Sequence, residues 1–168
     1  MPRCGVAGFS LIELMIALAI LSLLLGVATP AFNGMLANQR VKTAAADLHT
    51  SLLQARAEAV KRNRTIQMRP PVGGDWEDGW VVPNPDAPNS DTNPLIPLRS
   101  IEGVAVTSDA EYFDFRASGR VESDGTANAD GEFILQIASA VDSNKRRCIA
   151  IGLAGRAKTQ PCADEKDE

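Results

Sequence analysis

The segment from Phe9 to Thr29 constrains this chain more than any other: its 21 residues carry one ionisable side chain, Glu13. Wound into a helix it reaches about 31 Å, enough to cross a hydrocarbon core. Ahead of it lie eight residues, Met1 to Gly8, whose one charge is Arg3. A positive residue before a single span favours a cytoplasmic N-terminus and sends the 139 residues after Thr29 across the bilayer. Two ordinary explanations compete. A cleaved secretory signal would use Gly26-Val27-Ala28 as its cut site, but its apolar stretch is shorter and holds no acid. A plain anchor would carry Glu13 as a defect costing about 3 kcal/mol. An acid inside a span is by default a functional residue that needs a partner.

Composition excludes several classes. Net charge is −4, from 17 basic and 21 acidic side chains, so the whole chain is no histone-like binder of nucleic acid. One histidine and three cysteines leave little material for a zinc or histidine-based catalytic site. Aromatics at 5% are too sparse for base-stacking platforms. His49, beside Leu48, has no acid or nucleophile partner in the sequence and reads as structural or solvated. The stretch Asp124 to Glu132 sets oxygen ligands at alternating positions, loosely like a calcium loop, but a turn between strands explains it better. No cofactor, metal or enzymatic activity is expected.

Past Pro30, expected to kink the helix rather than end it, the helical period resumes. Leu36, Val41, Ala44 or Ala45, Leu48, Leu52, Ala55 and Ala59 form one apolar stripe, with Arg40, Lys42, Asp47, Gln54, Glu58, Lys61 and Arg62 on other faces. The helix is expected from about Phe9 to Arg64. Strands are expected at 65–69, 79–82, 98–107, 111–115, 132–138 and 148–153, and the proline-rich stretch 83–97 as an exposed loop. Helix first and strands after gives an α+β chain, its helix laid on antiparallel sheet. The expected divisions are 1–8, 9–29, 30–64 and 65–168.

Residues Gly8-Phe9-Ser10-Leu11-Ile12-Glu13-Leu14 resemble the prepilin cleavage signature of type IV pilins and type II secretion pseudopilins. The resemblance implies cleavage between Gly8 and Phe9 by a prepilin peptidase, N-methylation of Phe9, and an assembly role for Glu13. The amine freed at Phe9, cationic at neutral pH, would meet the Glu13 of a neighbouring subunit in a low-dielectric fibre core. Farther on, 52–62, then Trp76-Glu-Asp-Gly79-Trp80, Phe113-Asp-Phe115 and Ser118-Gly119-Arg120 resemble the GspH/FimT branch of minor pilins and pseudopilins. That branch implies a pilin-like fold with two antiparallel sheets on the helix. It implies a chain held in the bacterial inner membrane, its globular part in the periplasm, that then joins a pilus or pseudopilus. The implied partners are other minor pilins, the major pilin, the prepilin peptidase and the inner-membrane platform. From the residues alone, Arg56 and Glu58 fit a solvated helix face, and Trp76 and Trp80 fit core or rim packing.

Removal of the leader takes Cys4 with it and leaves Cys148 and Cys162, an even pair in a domain facing an oxidising compartment. A disulfide between them is favoured over a metal site or catalytic thiol, since no His or Cys-x-x-Cys pattern accompanies them. Between Ser143 and Cys162 lie Lys145, Arg146, Arg147, Arg156 and Lys158 and no acid. Such a patch suits phosphate, and hence double-stranded DNA. FimT-like pilins of competent bacteria bind DNA through a Gly-Arg-x-Arg motif, which Gly155-Arg156-Ala157-Lys158 resembles with Lys158 in place of the second arginine. Lysine keeps the charge but loses the bidentate fork, and the acidic stretch 164–168 would repel phosphate nearby. The competing reading is a solvated basic turn.

Overall fold

The structure, a computed structural model, describes residues 10–87 and 92–162, the side chains of residues 27–31 excepted. Gly8 and Phe9 fall outside the described residues, as do residues 163–168. Helix α1 runs Leu11–Arg62, its helical backbone unbroken at Pro30. The chain divides into two compact units at Leu36 and Ala37, taken here in turn.

In the first unit the helix presents its large apolar side chains outward: Leu11, Met15, Leu18, Leu23 and Leu25 are all more than half exposed. Among the described residues no helix is long and apolar enough to cross a membrane. The run described with its side chains covers only 10–26 of the apolar 9–29 segment.

Leu36, the first member of the expected stripe, is exposed at the end of the first unit, and in the second unit the rest of the stripe is the buried face. Val41, Ala44, Ala45, Leu48, Leu52, Ala55 and Ala59 are at most 3% exposed. The helix stops two residues short of the expected Arg64 because Asn63 adopts a left-handed conformation (φ 50°). Asn63 N–H then bonds Val60 C=O and Arg64 N–H bonds Ala59 C=O, the paired bonds of a Schellman end.

Among the described residues nine strands follow, all paired antiparallel. β1 (Ile66–Met68), β5 (Phe113–Phe115) and β6 (Val121–Ser123) form a sheet in the order β1-β5-β6. β2 (Trp80–Val82) pairs with β3 (Ile96–Arg99). β4 (Val104–Ser108), β7 (Glu132–Ser139), β8 (Arg146–Gly152) and β9 (Ala157–Gln160) form the largest sheet in that order. Its inner face supplies Val106, Phe133, Leu135, Ile137, Ile149 and Ile151 to the core shared with the helix stripe. Buried indoles find partners. Trp80 Nε1 donates to Ser51 Oγ (3.0 Å), which donates to Asp47 C=O (2.9 Å), and Trp76 Nε1 donates to Ala110 C=O.

Among the described residues the strands form three ladders, with an antiparallel bridge between Arg69 and Val81 linking the β1 and β2 ladders. The expected strand 98–107 is two strands in different ladders, separated by a turn at Gly103 (φ 77°) whose closing bond runs from Val104 N–H to Ile101 C=O. The expected loop 83–97 ends early, because Ile96 is buried at the start of β3. β6 and β9 were not expected at all.

Candidate functional site

Glu13 sits in the first turn of α1, exposed among exposed apolar neighbours. A carboxylate there is favoured by the free N–H groups and positive end of the helix. Farther along, the face of α1 opposite the core stripe carries Thr43, Ala46, Thr50, Leu53, Ala57 and Val60, all exposed and none charged. They recur at the spacings of three and four that line one helix face. The sequence reading missed this stripe because its residues are mostly small, and small residues weigh little in an apolar count.

Cys148 and Cys162 are joined by a disulfide with Cα atoms 5.0 Å apart. It ties the end of the β8–β9 hairpin together on the outer face of the largest sheet, since Cys148 alternates with the inward Ile149 and Ile151. The five basic residues do not form one patch. Lys145, Arg146 and Arg147 lie at the base of the hairpin, beside Cys148↔Gln160. Arg156 lies at its tip, where its C=O accepts from Gly152 N–H. Four residues of strand, about 13 Å, separate the two ends. Lys158 lies between them and is ion-paired with Glu132 at 2.9 Å. The pair reaches diagonally over β8, where Ala150 lies opposite Lys158 and Gly152 opposite Glu132. Arg156 is exposed, and Arg146 is not free of partners.

Gly155 is fixed by packing. Its φ is 70°, and a Cβ there would fall 2.1 Å from Gly119 C=O and 3.1 Å from Arg56 Nε. Arg56 Nε donates to that same carbonyl at 2.9 Å, so one helical guanidinium stitches the β5–β6 turn beneath the β8–β9 turn. His49 likewise meets β9 through Nε2 at 3.2 Å from Ala157 C=O.

Other oxygen-rich places are occupied by backbone. Asp124 Oδ1 accepts from Glu111 and Tyr112 N–H, Asn128 Oδ1 from Asp130 and Glu132 N–H, and Asp109 Oδ2 from Thr126 N–H. Among the described residues no His, Cys, Asp and Glu cluster could hold a metal. Two open cavities of about 420 and 460 Å³ flank Ser108 and Asp109 without converging catalytic groups. Asp114, half-buried beside β1, has its carboxyl raised above the usual range by burial, against the bond it accepts from Gln67 Nε2 at 3.1 Å. Outside, Arg116 holds Glu122 below its ordinary value, and Arg62 with Lys61 does the same for Glu58.

A long amphipathic helix that leads the chain with exposed apolar residues and one acid, then packs on disulfide-closed antiparallel sheet, defines a pilin-type structural subunit. The sequence agrees with this class at both ends. Residues 44–155 match the family described as Type II transport protein GspH, and residues 3–29 match the prokaryotic N-terminal methylation motif. The chain belongs to the GspH family, whose members are structural pilins and pseudopilins rather than enzymes. Its fold is similar to the type IV minor pilin FimU of Pseudomonas aeruginosa. The two are 24% identical over 71% of this chain and 92% of that one, with a TM-score of 0.56. It is also similar to the minor pseudopilin EpsH from the type 2 secretion system of Vibrio cholerae. There the identity is 15% over 74% and 99% of the two chains, with a TM-score of 0.52. A search of curated proteins gives no significant match.

Proposed function

We propose that this chain is a minor type IV pilin of the FimT/FimU kind. In this reading a prepilin peptidase cuts it between Gly8 and Phe9 and methylates Phe9. The inner membrane then holds it, globular part in the periplasm, until the assembly platform inserts it near the pilus tip beside the major pilin and other minor pilins. The observation that carries the reading is the exposed apolar helix. Leu11, Leu14, Leu18, Leu21, Leu24 and Leu25 are each more than half exposed, an apolar surface that only lipid or other helices can cover. Beyond Leu36 the uncharged stripe from Thr43 to Val60 gives the same helix a further face for neighbours. The Glu13 carboxylate meets the Phe9 amine of an adjacent subunit and sets the register, because either charge alone is costly there.

Glu13→Ala leaves the chain membrane-inserted and depletes it from sheared pili, measured by immunoblot of membrane and pilus fractions. Equal incorporation of wild type and variant refutes the role of Glu13. Deletion abolishes piliation in this reading; loss of protein secretion with piliation intact would make the chain a type II pseudopilin. Capture of double-stranded DNA is the weaker reading, since the basic residues are split between two ends of a hairpin and Lys158 is neutralised by Glu132. Salt-sensitive DNA binding abolished by Arg156→Ala would reverse that ranking.

A further inference from the structure

The turns that close β5–β6 and β8–β9 are one turn built twice. Arg116-Ala117-Ser118-Gly119-Arg120 and Gly152-Leu153-Ala154-Gly155-Arg156 each place a left-handed glycine fourth (φ 77° and 70°) and an arginine fifth. In both, the glycine N–H donates to the C=O of the first residue at 2.7 Å. The N–H of that first residue donates to the arginine C=O, at 2.8 Å in one turn and 3.0 Å in the other. This is the hairpin turn that ends in a glycine bulge. The two turns are also stacked. Val121 N–H donates to Leu153 C=O at 3.1 Å, and Arg56 Nε holds Gly119 C=O at 2.9 Å where Gly155 packs on it. Arg120 and Arg156, each following its glycine, therefore leave the chain from adjacent points, although they are far apart in sequence. Each precedes a residue turned toward the core, Val121 and Ala157, so both side chains project to the outer side, and both are exposed.

The acids beside them already hold other cations. Glu122 is paired with Arg116, which together with the more distant Arg120 keeps its carboxyl below the ordinary value. Glu132 is paired with Lys158. Among the described residues neither Arg120 nor Arg156 forms an ion pair or a side-chain hydrogen bond. We propose that Arg120 and Arg156 form a two-guanidinium clamp for paired carboxylates on a neighbouring subunit of the fibre. Guanidinium forks match carboxylates in geometry, two bonds to each. A DNA duplex fits less well. Its charges follow one another about every 1.7 Å of axis, so a stretch crossing the clamp also meets Glu122 and Glu132, whereas single carboxylates reach in between them. The clamp rests on the assembly reading for the identity of its partner, not for its chemistry.

Titration of the full-length oxidised chain in nonionic detergent with acetyl-Glu-Gly-Glu-amide, followed by NMR of the arginine Nε–H signals, tests the clamp. The signals of Arg120 and Arg156 are expected to shift together while those of Arg99 and Arg147 stay, and the Gln-Gly-Gln peptide is expected to move none. Arg120→Ala and Arg156→Ala should each weaken the peptide roughly threefold and the double variant roughly tenfold, as exposed ion pairs do. In cells the double variant should keep its membrane level and be depleted from sheared pili. Peptide binding indifferent to both substitutions overturns the clamp, as does a short DNA duplex that moves the same signals at lower concentration than the peptide. Undiminished incorporation of the double variant overturns the partner. Peptide binding by a chain whose wild type is missing from pili refutes the assembly reading and upholds the clamp.

Discussion

Three glycines around the β8–β9 hairpin form a graded series that isolates the cost of the turn at Gly155. Gly152 has no left-handed φ, and nothing lies within 4 Å of where its Cβ would be. Gly131 is left-handed (φ 73°) but open, its nearest neighbour being Leu153 Cδ1 at 3.8 Å. Gly155 is left-handed and closed, with Gly119 C=O 2.1 Å from the added carbon. Alanine at Gly152 therefore changes stability by no more than about 0.5 kcal/mol. At Gly131 it costs about 1 kcal/mol for the left-handed backbone. At Gly155 the same backbone term recurs, and the clash with a main-chain carbonyl cannot be relieved by a rotamer.

Moving that carbonyl pulls Gly119 from Arg56 Nε, a bond from a charged donor that is half-buried at the join of two turns. Overpacking of this kind costs about 1–3 kcal/mol and the strained bond adds to it, so Gly155→Ala should lose about 3–5 kcal/mol in all. For a folded part of this size that lowers Tm by roughly 10–20 °C. Thermal and denaturant unfolding of the detergent-solubilised chain, followed by circular dichroism, measures the series. A Gly155→Ala variant within about 1 kcal/mol of Gly131→Ala refutes the packing argument.

Two further outcomes follow from buried polar groups. Ser51→Ala strips Trp80 Nε1 of its acceptor inside the core and should cost about 1–3 kcal/mol, while Ser51→Thr, which keeps the hydroxyl, should lose less; equal losses in denaturant melts refute the bond's role. The raised Asp114 carboxyl makes its ionised form the unfavourable one, so the penalty is absent below the ordinary aspartate value, grows as pH rises from there to the raised folded value, and is complete above it. Asp114→Asn, whose side-chain oxygen still accepts from Gln67, should thus be more stable than wild type at neutral pH and equal to it in acid; a pH series of melts with the reverse order refutes the sign.

The helix and its buried register were legible because the stripe from Val41 to Ala59 repeats at 3.6 residues and burial follows the same period. β7 was legible for the corresponding reason: Phe133, Leu135, Ile137 and Ser139 are buried in strict alternation over eight residues. β6 and β9 were not. Val121-Glu-Ser and Ala157-Lys-Thr-Gln hold too few apolar residues to show a period, and they are strands because a neighbouring ladder supplies their hydrogen bonds. The split at Gly103 escaped for a related reason. A turn inside an apolar run leaves composition unchanged and alters only which ladder each half joins.

The basic stretch shows what linear reading loses. Counted along the chain, Lys145 to Lys158 is a dense run of positive charge with a glycine that lets it turn. Folded, the glycine is required by the carbonyl of Gly119 and the guanidinium of Arg56, whatever the arginine after it does. Lys158 faces Glu132, and Lys145 to Arg147 lie a strand length from Arg156. A Gly-Arg-x-Lys sequence at this position is therefore accounted for by a tight inter-sheet turn, an exposed arginine beside it and a cross-strand ion pair. The resemblance to a nucleic-acid motif needs more than those four residues to carry function. On the face of Arg156 the second cation of the motif, Lys158, is ion-paired with Glu132 of β7.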